Sequence, residues 1–174
     1  GAGGNSAVSE VTLNVLPVND APVVNITATN PTYTENASAV QLFNGASINT
    51  IEFGQKVSQM TFTVSGVANG AAEKLVIDGS DVMLITGTSV VTSNNSTEVT
   101  VSVTSGTASV TLSSGAGLDV ATAQTILNTM AYRNDSESPT TSSGRVVTLN
   151  TVSDNGGSDN GANPTGNIGI FSTV

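Results

Sequence analysis

The 174-residue chain has no cysteine, no histidine and no tryptophan, and only two tyrosines and four phenylalanines. Lacking cysteine, it has neither a disulfide framework nor a thiol nucleophile. Lacking histidine too, it has no zinc site of the ordinary kind and no imidazole to act as general base, proton shuttle or triad member. Positive charge is also scarce: four Lys and Arg stand against thirteen Asp and Glu, a formal net charge of −9. Such an acidic surface repels nucleic acid and anionic lipid and attracts cations. No apolar run approaches the roughly 18 residues of a membrane-spanning helix, so neither nucleic acid nor membrane insertion is expected. No basic stretch followed by an apolar one marks an export signal.

What the chain has instead is Thr, Ser and Asn, which together fill more than a third of it, with 37% hydrophobic residues. This is a β-protein profile, of a length that suits one domain with a real core. Val8 to Val18 alternates, with Val11, Leu13 and Val15 on one side, and predicts a half-buried strand. It runs into Pro17-Val18-Asn19-Asp20-Ala21-Pro22, where two prolines stop any ladder. Further strands are predicted at Val23 to Ile26, Tyr33 to Glu35, Ala46 to Ile51 and Met60 to Ser65. Lys74 to Ile77 and Val82 to Ile85 form a hairpin through the Asp78-Gly79 turn, and Glu98 to Thr104 and Ala108 to Leu112 form a second through Ser105-Gly106. Leu118 to Tyr132 has helical spacing and predicts one short helix near residues 119–131, N-capped by Asp119. Arg145 to Val152, a Gly/Asn/Asp loop to Asn163, and Asn167 to Val174 complete the chain. Asn5–Val15 and Asn163–Val174 each follow a Gly-rich loop and alternate into a closing Val, as if the chain began and ended at the same phase of a repeat.

The connector Pro17 to Pro22, the stretches Val64 to Val67 and Gly70 to Gly79, the helix end Met130 to Asn134, and the tail Arg145 to Leu149 with Asp154 to Gly157 occur in a telling order. Together they resemble one cadherin-like tandem repeat of the giant RTX-type, type I-secreted surface adhesins of bacteria; the resemblance spans about residues 17–174. It implies a cadherin-like or immunoglobulin-like antiparallel β-sandwich over 23–174, with 19–22 as inter-module linker. Residues 1–18 are then the last strand of a preceding repeat or an extra strand of this one. It also implies extracellular localisation at the bacterial surface, a monomer in isolation whose partners are adjacent repeats of the same polypeptide, and Ca2+ near the junctions. Ca2+ takes about six to eight hard oxygen ligands from carboxylates, carboxamides and carbonyls. The candidate ligands are Asn19 and Asp20 in the connector, Glu35 near the start of the module, and Asp154 with Asn155 in the late loop.

Each candidate has a plainer reading. Asn19-Asp20 makes an Asx turn, Glu35 is a solvated charge, and Asp154 tolerates a tight turn. Glu73 reads as a structural partner, Asp135 and Glu137 as loop charges, and Arg133 and Arg145 as cations paired inside the fold. The sequons at Asn25, Asn36, Asn94, Asn95 and Asn134 are expected by chance in this composition. Catalysis is not expected: Asp78 and Asp81 sit at a hairpin turn, and no Ser or Thr has a recognisable activating base. The alternative function is a carbohydrate-binding or homophilic adhesion module, with host or biofilm polysaccharide as ligand. An exposed cluster of Tyr33, Phe43 and Phe53 would favour sugar stacking; burial of these rings would favour a spacer.

Overall fold

A computed structural model of the chain describes residues 1, 3–4, 8–159 and 162–174. These build an all-β fold with one helix, in a sandwich-like arrangement. The strands are β1 Val23–Ala28, β2 Val40–Gln41, β3 Phe43–Asn49, β4 Val57–Ser65, β5 Glu73–Ile77, β6 Ser80–Met83, β7 Ser89–Val91, β8 Glu98–Thr104, β9 Thr107–Leu118, β10 Ala131–Asn134, β11 Val146–Asp154 and β12 Thr165–Thr173. Helix α1 spans Val120–Thr129. One layer is a six-stranded sheet in the order β12-β11-β4-β9-β8-β7. A four-stranded sheet, β2-β10-β5-β6, and the pair β1-β3 make up the rest. Every pairing is antiparallel.

Alternation explains both faces of the large sheet. Met60, Phe62, Val64, Val110, Leu112, Val147 and Leu149 point into one core cluster with Phe43, Leu75, Ile77, Ile126 and Leu127. Between them, Thr61, Thr63, Thr111 and Thr148 stay partly solvated, and the Thr61 and Thr151 hydroxyls are 2.6 Å apart across β4 and β11. β-branched hydroxyl residues suit a pleated, half-wet surface, which accounts for much of the threonine. Both predicted hairpins form: Asp78-Gly79 and Ser105-Gly106 all adopt positive φ, as a two-residue type I′ turn requires.

The two ends of the sandwich are distinct. Asn19, the start of β4 and the end of β11 meet at what is here termed the N-terminal pole. Arg145 and Val174, hydrogen-bonded to each other through their backbones, mark the C-terminal pole. Nine-residue β11 separates the two, roughly 30 Å at about 3.3 Å per residue.

Four expectations are corrected. Residues 8–18 join no sheet, and Val8, Val11, Leu13 and Val15 are exposed: alternation there had no partner strand to bury it. Tyr33–Glu35 is a non-strand segment running into a turn in which Asn36 has φ 61°. The helix ends at Thr129, because Met130 is extended (ψ 131°) and Ala131 and Tyr132 pair with β2 and β5. Asp119 precedes the helix but makes no side-chain cap; its carboxylate pairs with Lys56 at 3.2 Å.

Candidate metal centre

A bulge in β11 builds the N-terminal pole. Leu149 faces Phe62 while Thr151 faces Thr61, so Asn150 is an extra residue and the alternation reverses after it. Val152 and Asp154 therefore turn inward, and Asp154 is 4% exposed. Its Oδ1 accepts hydrogen bonds from Asn19 Nδ2 and the Gly156 backbone N–H, both at 2.9 Å. Its backbone is held as well, with the amide donating to Pro164 O and the carbonyl accepting from Ser58 Oγ at 2.7 Å.

Asn19 is equally fixed. Its Nδ2 also donates to Gly157 O at 3.3 Å, its Oδ1 accepts from Gln55 Nε2 at 2.5 Å, and its carbonyl accepts from Asn163 N–H. A Cβ at Gly156 would lie 2.1 Å from Asn19 Oδ1, so only glycine fits there. The next residue, Asp20, is exposed and donates its backbone N–H to Glu52 Oε1 at 3.1 Å. Asn155 ties the late loop to the start of β4: its Oδ1 accepts from Lys56 N–H at 2.9 Å, and its own N–H donates to Lys56 O.

Three acceptors here have no partner. Asp154 Oδ2, Glu52 Oε2 and Gln55 Oε1 are buried without a hydrogen bond, three of the five such side-chain atoms among the described residues. Orphaned buried oxygens are costly and call for an explanation. No cationic side chain supplies one: Lys56 pairs with Asp119, Lys74 and Arg133 with Asp81 and Asp135, and Arg145 with Glu73. No group of three or more His, Cys, Asp or Glu placed to hold a metal occurs among the described residues. The three unpartnered acceptors are hard oxygens, two from carboxylates and one from a carboxamide, the ligand type Ca2+ takes.

Of the residues picked from sequence, Asn19, Asp20, Asp154 and Asn155 come together at this pole. Glu35 does not. It is exposed at the C-terminal pole, on the rim of an open pocket of about 600 Å3 between segments 31–35 and 137–145. Glu52 and Gln55 were not picked. They sit in the β3–β4 loop, whose approach to Asn19 is decided by pairings remote in sequence; Gly54 (φ 83°) is the one glycine in that loop. Glu73 and Arg145 have the structural role expected of them, a buried ion pair. The three test rings do not cluster: Phe43 is fully buried, Phe53 fully exposed, and half-buried Tyr33 stacks edge-on against Tyr132 with centroids 5.7 Å apart.

No family model, curated protein or solved structure matches the chain. No helix among the described residues is long and apolar enough to cross a membrane.

Proposed function

We propose that the chain is a Ca2+-stabilised structural module of a long bacterial surface adhesin, joined head to tail with like modules and giving reach and stiffness rather than catalysis. The observation that carries this reading is the buried, unpartnered Asp154 Oδ2, together with Glu52 Oε2 and Gln55 Oε1, likewise unpartnered, on side chains that bond Asp20 and Asn19 of the connector. Asp154 and Glu52 supply the charge for the cation, Gln55 and Asn19 neutral oxygens, and Asp20 a carboxylate at the rim. Bound there, the ion neutralises acidic groups and clamps the connector, turning a hinge into a stiff joint. Residues 8–18, outside every sheet, are read as the last strand of a preceding repeat. The carbohydrate-binding alternative is weakened by the scattered aromatic rings.

Thermal unfolding in excess EDTA, Ca2+ and Mg2+ tests the proposal. A ligand bound only by the native state stabilises it by about 2.7 kcal/mol at a hundredfold excess over Kd, or roughly 5–10 °C for a domain of this size. The expected result is a Ca2+-specific rise of that order which Asp154→Asn and Glu52→Gln each reduce. A midpoint indifferent to Ca2+ sinks the proposal.

A further inference from the structure

Phe53 is the most exposed large apolar side chain among the described residues, at 107% relative exposure. It sits at the tip of the β3–β4 loop, and that loop is strained. Ile51, a β-branched residue, is held at φ 67°, with its N–H bonded to Asn49 Oδ1 at 2.9 Å. β-branched residues rarely occupy this region, and strain of this kind persists where the surroundings impose it, often at functional sites. Glu52 anchors the loop to Asp20, so the phenyl ring projects from the N-terminal pole on a fixed base.

At the opposite pole lies the open pocket of about 600 Å3. Its apolar walls are Pro31, Tyr33, Tyr132, Pro139 and Val174, and its size is that of a preformed ligand site. A knob at one pole and a pocket at the other form a heterologous pair, which propagates head to tail instead of closing into a dimer. We infer that Phe53 of one copy of this fold seats in the pocket between segments 31–35 and 137–145 of the preceding copy. The partner is thus a second domain of this fold. Carboxylates flank both halves, Asp20 and Glu52 beside the knob and Glu35 and Glu137 at the pocket, so the contact needs a cation or high salt to quench repulsion. The inference rests on the head-to-tail reading above.

The test is a dilution series of the full chain in Ca2+, followed by 1H–15N NMR up to the millimolar range that linked modules experience. The backbone signals of 32–35 and 137–141 are expected to move with concentration in the wild-type chain. They stop moving in Phe53→Ser, which removes the knob, and in Ser138→Trp, whose indole fills the pocket rim. The F53S chain keeps the wild-type thermal midpoint and Ca2+ response, which separates loss of the knob from loss of the fold or of the cation site. Mixing the two variants restores one complementary contact, and the pocket signals of the F53S chain move again. Wild-type spectra independent of concentration overturn the inference. So do shifts that persist in F53S, or a mixture that stays silent.

Discussion

Glu73 and Asp154 are both fully or nearly buried carboxylates, at 0% and 4% exposure, yet their surroundings differ. Glu73 is neutralised by Arg145, which donates to it through Nε and Nη2, and its second oxygen accepts from Ala68 N–H at 3.2 Å. The guanidinium spends its other donors on Thr140 O, Ser143 O and Asn69 Oδ1, fixing the loop before β11. Asp154 has only Asn19 and a backbone amide, on one oxygen. This contrast sets the surroundings of Asp154 apart from an internal ion pair. Next to Glu73, burial first and the glutamate charge second push the Tyr132 phenol up to about 12. A raised phenol pKa means that the neutral form fits the fold. Its contribution is complete below pH 10 and is lost as pH rises from about 10 to about 12, some 2–3 kcal/mol in all. Urea unfolding at pH 8 and pH 11.5 should show most of that loss, and Tyr132→Phe should abolish its tyrosine share. Asp135 shifts the opposite way, lowered chiefly by the hydrogen bond from Lys74, but it is solvated enough for salt to screen the effect.

Among the elements, α1 does work usually given to a strand. β3 pairs with β1 on one side only. On the other, Asn128 Oδ1 accepts from Ala46 N–H at 2.9 Å and Gln124 Oε1 from Ile48 N–H at 2.8 Å. Residues four apart on a helix match alternate amides of the strand, so two carboxamides close an edge that would otherwise invite pairing with another chain. Asn128→Ala should cost about 1 kcal/mol, and hydrogen exchange at Ala46 should quicken while β4 and β9 remain protected. The helix itself was legible from its apolar spacing. Its end was not, because Ala131 and Tyr132 continue that spacing while belonging to β10. Three-residue β7 is too short to show a period. Residues 8–18 mislead in reverse, since alternation reports a strand's preference and not the presence of a neighbour to pair with. At the site, Asn19 and Asp154 were readable as loop oxygens, whereas Glu52 and Gln55 reach them only through the stacking of β1, β3, β4 and β11.

At the scale of the whole molecule, the thirteen acids are unevenly distributed. All four cations are engaged in ion pairs, Lys56, Lys74 and Arg133 partly exposed and Arg145 inside the sandwich. Five of the nine carboxylates outside these pairs lie at the ends: Asp20, Glu52 and Asp154 at one pole, Glu35 and Glu137 at the other. Asn19 lies at one pole and Val174 at the other, joined by backbone hydrogen bonds to Asn163 and Arg145 respectively.

The pairing of every cation has a consequence for durability in a proteolytic environment. Trypsin-like enzymes cut only after Lys or Arg and need the chain locally extended in their cleft, so strands resist until they open. Lys74 lies inside β5 and Arg133 inside β10, and Arg145 is 5% exposed. Lys56, beside the β3–β4 loop and partly exposed, is the single accessible site. Limited trypsin digestion of the native chain should therefore give one slow cut, after Lys56, with two fragments held together by the sheets. Rapid cleavage after Lys74 or Arg133 would mean that the four-stranded sheet opens far more readily than its packing implies.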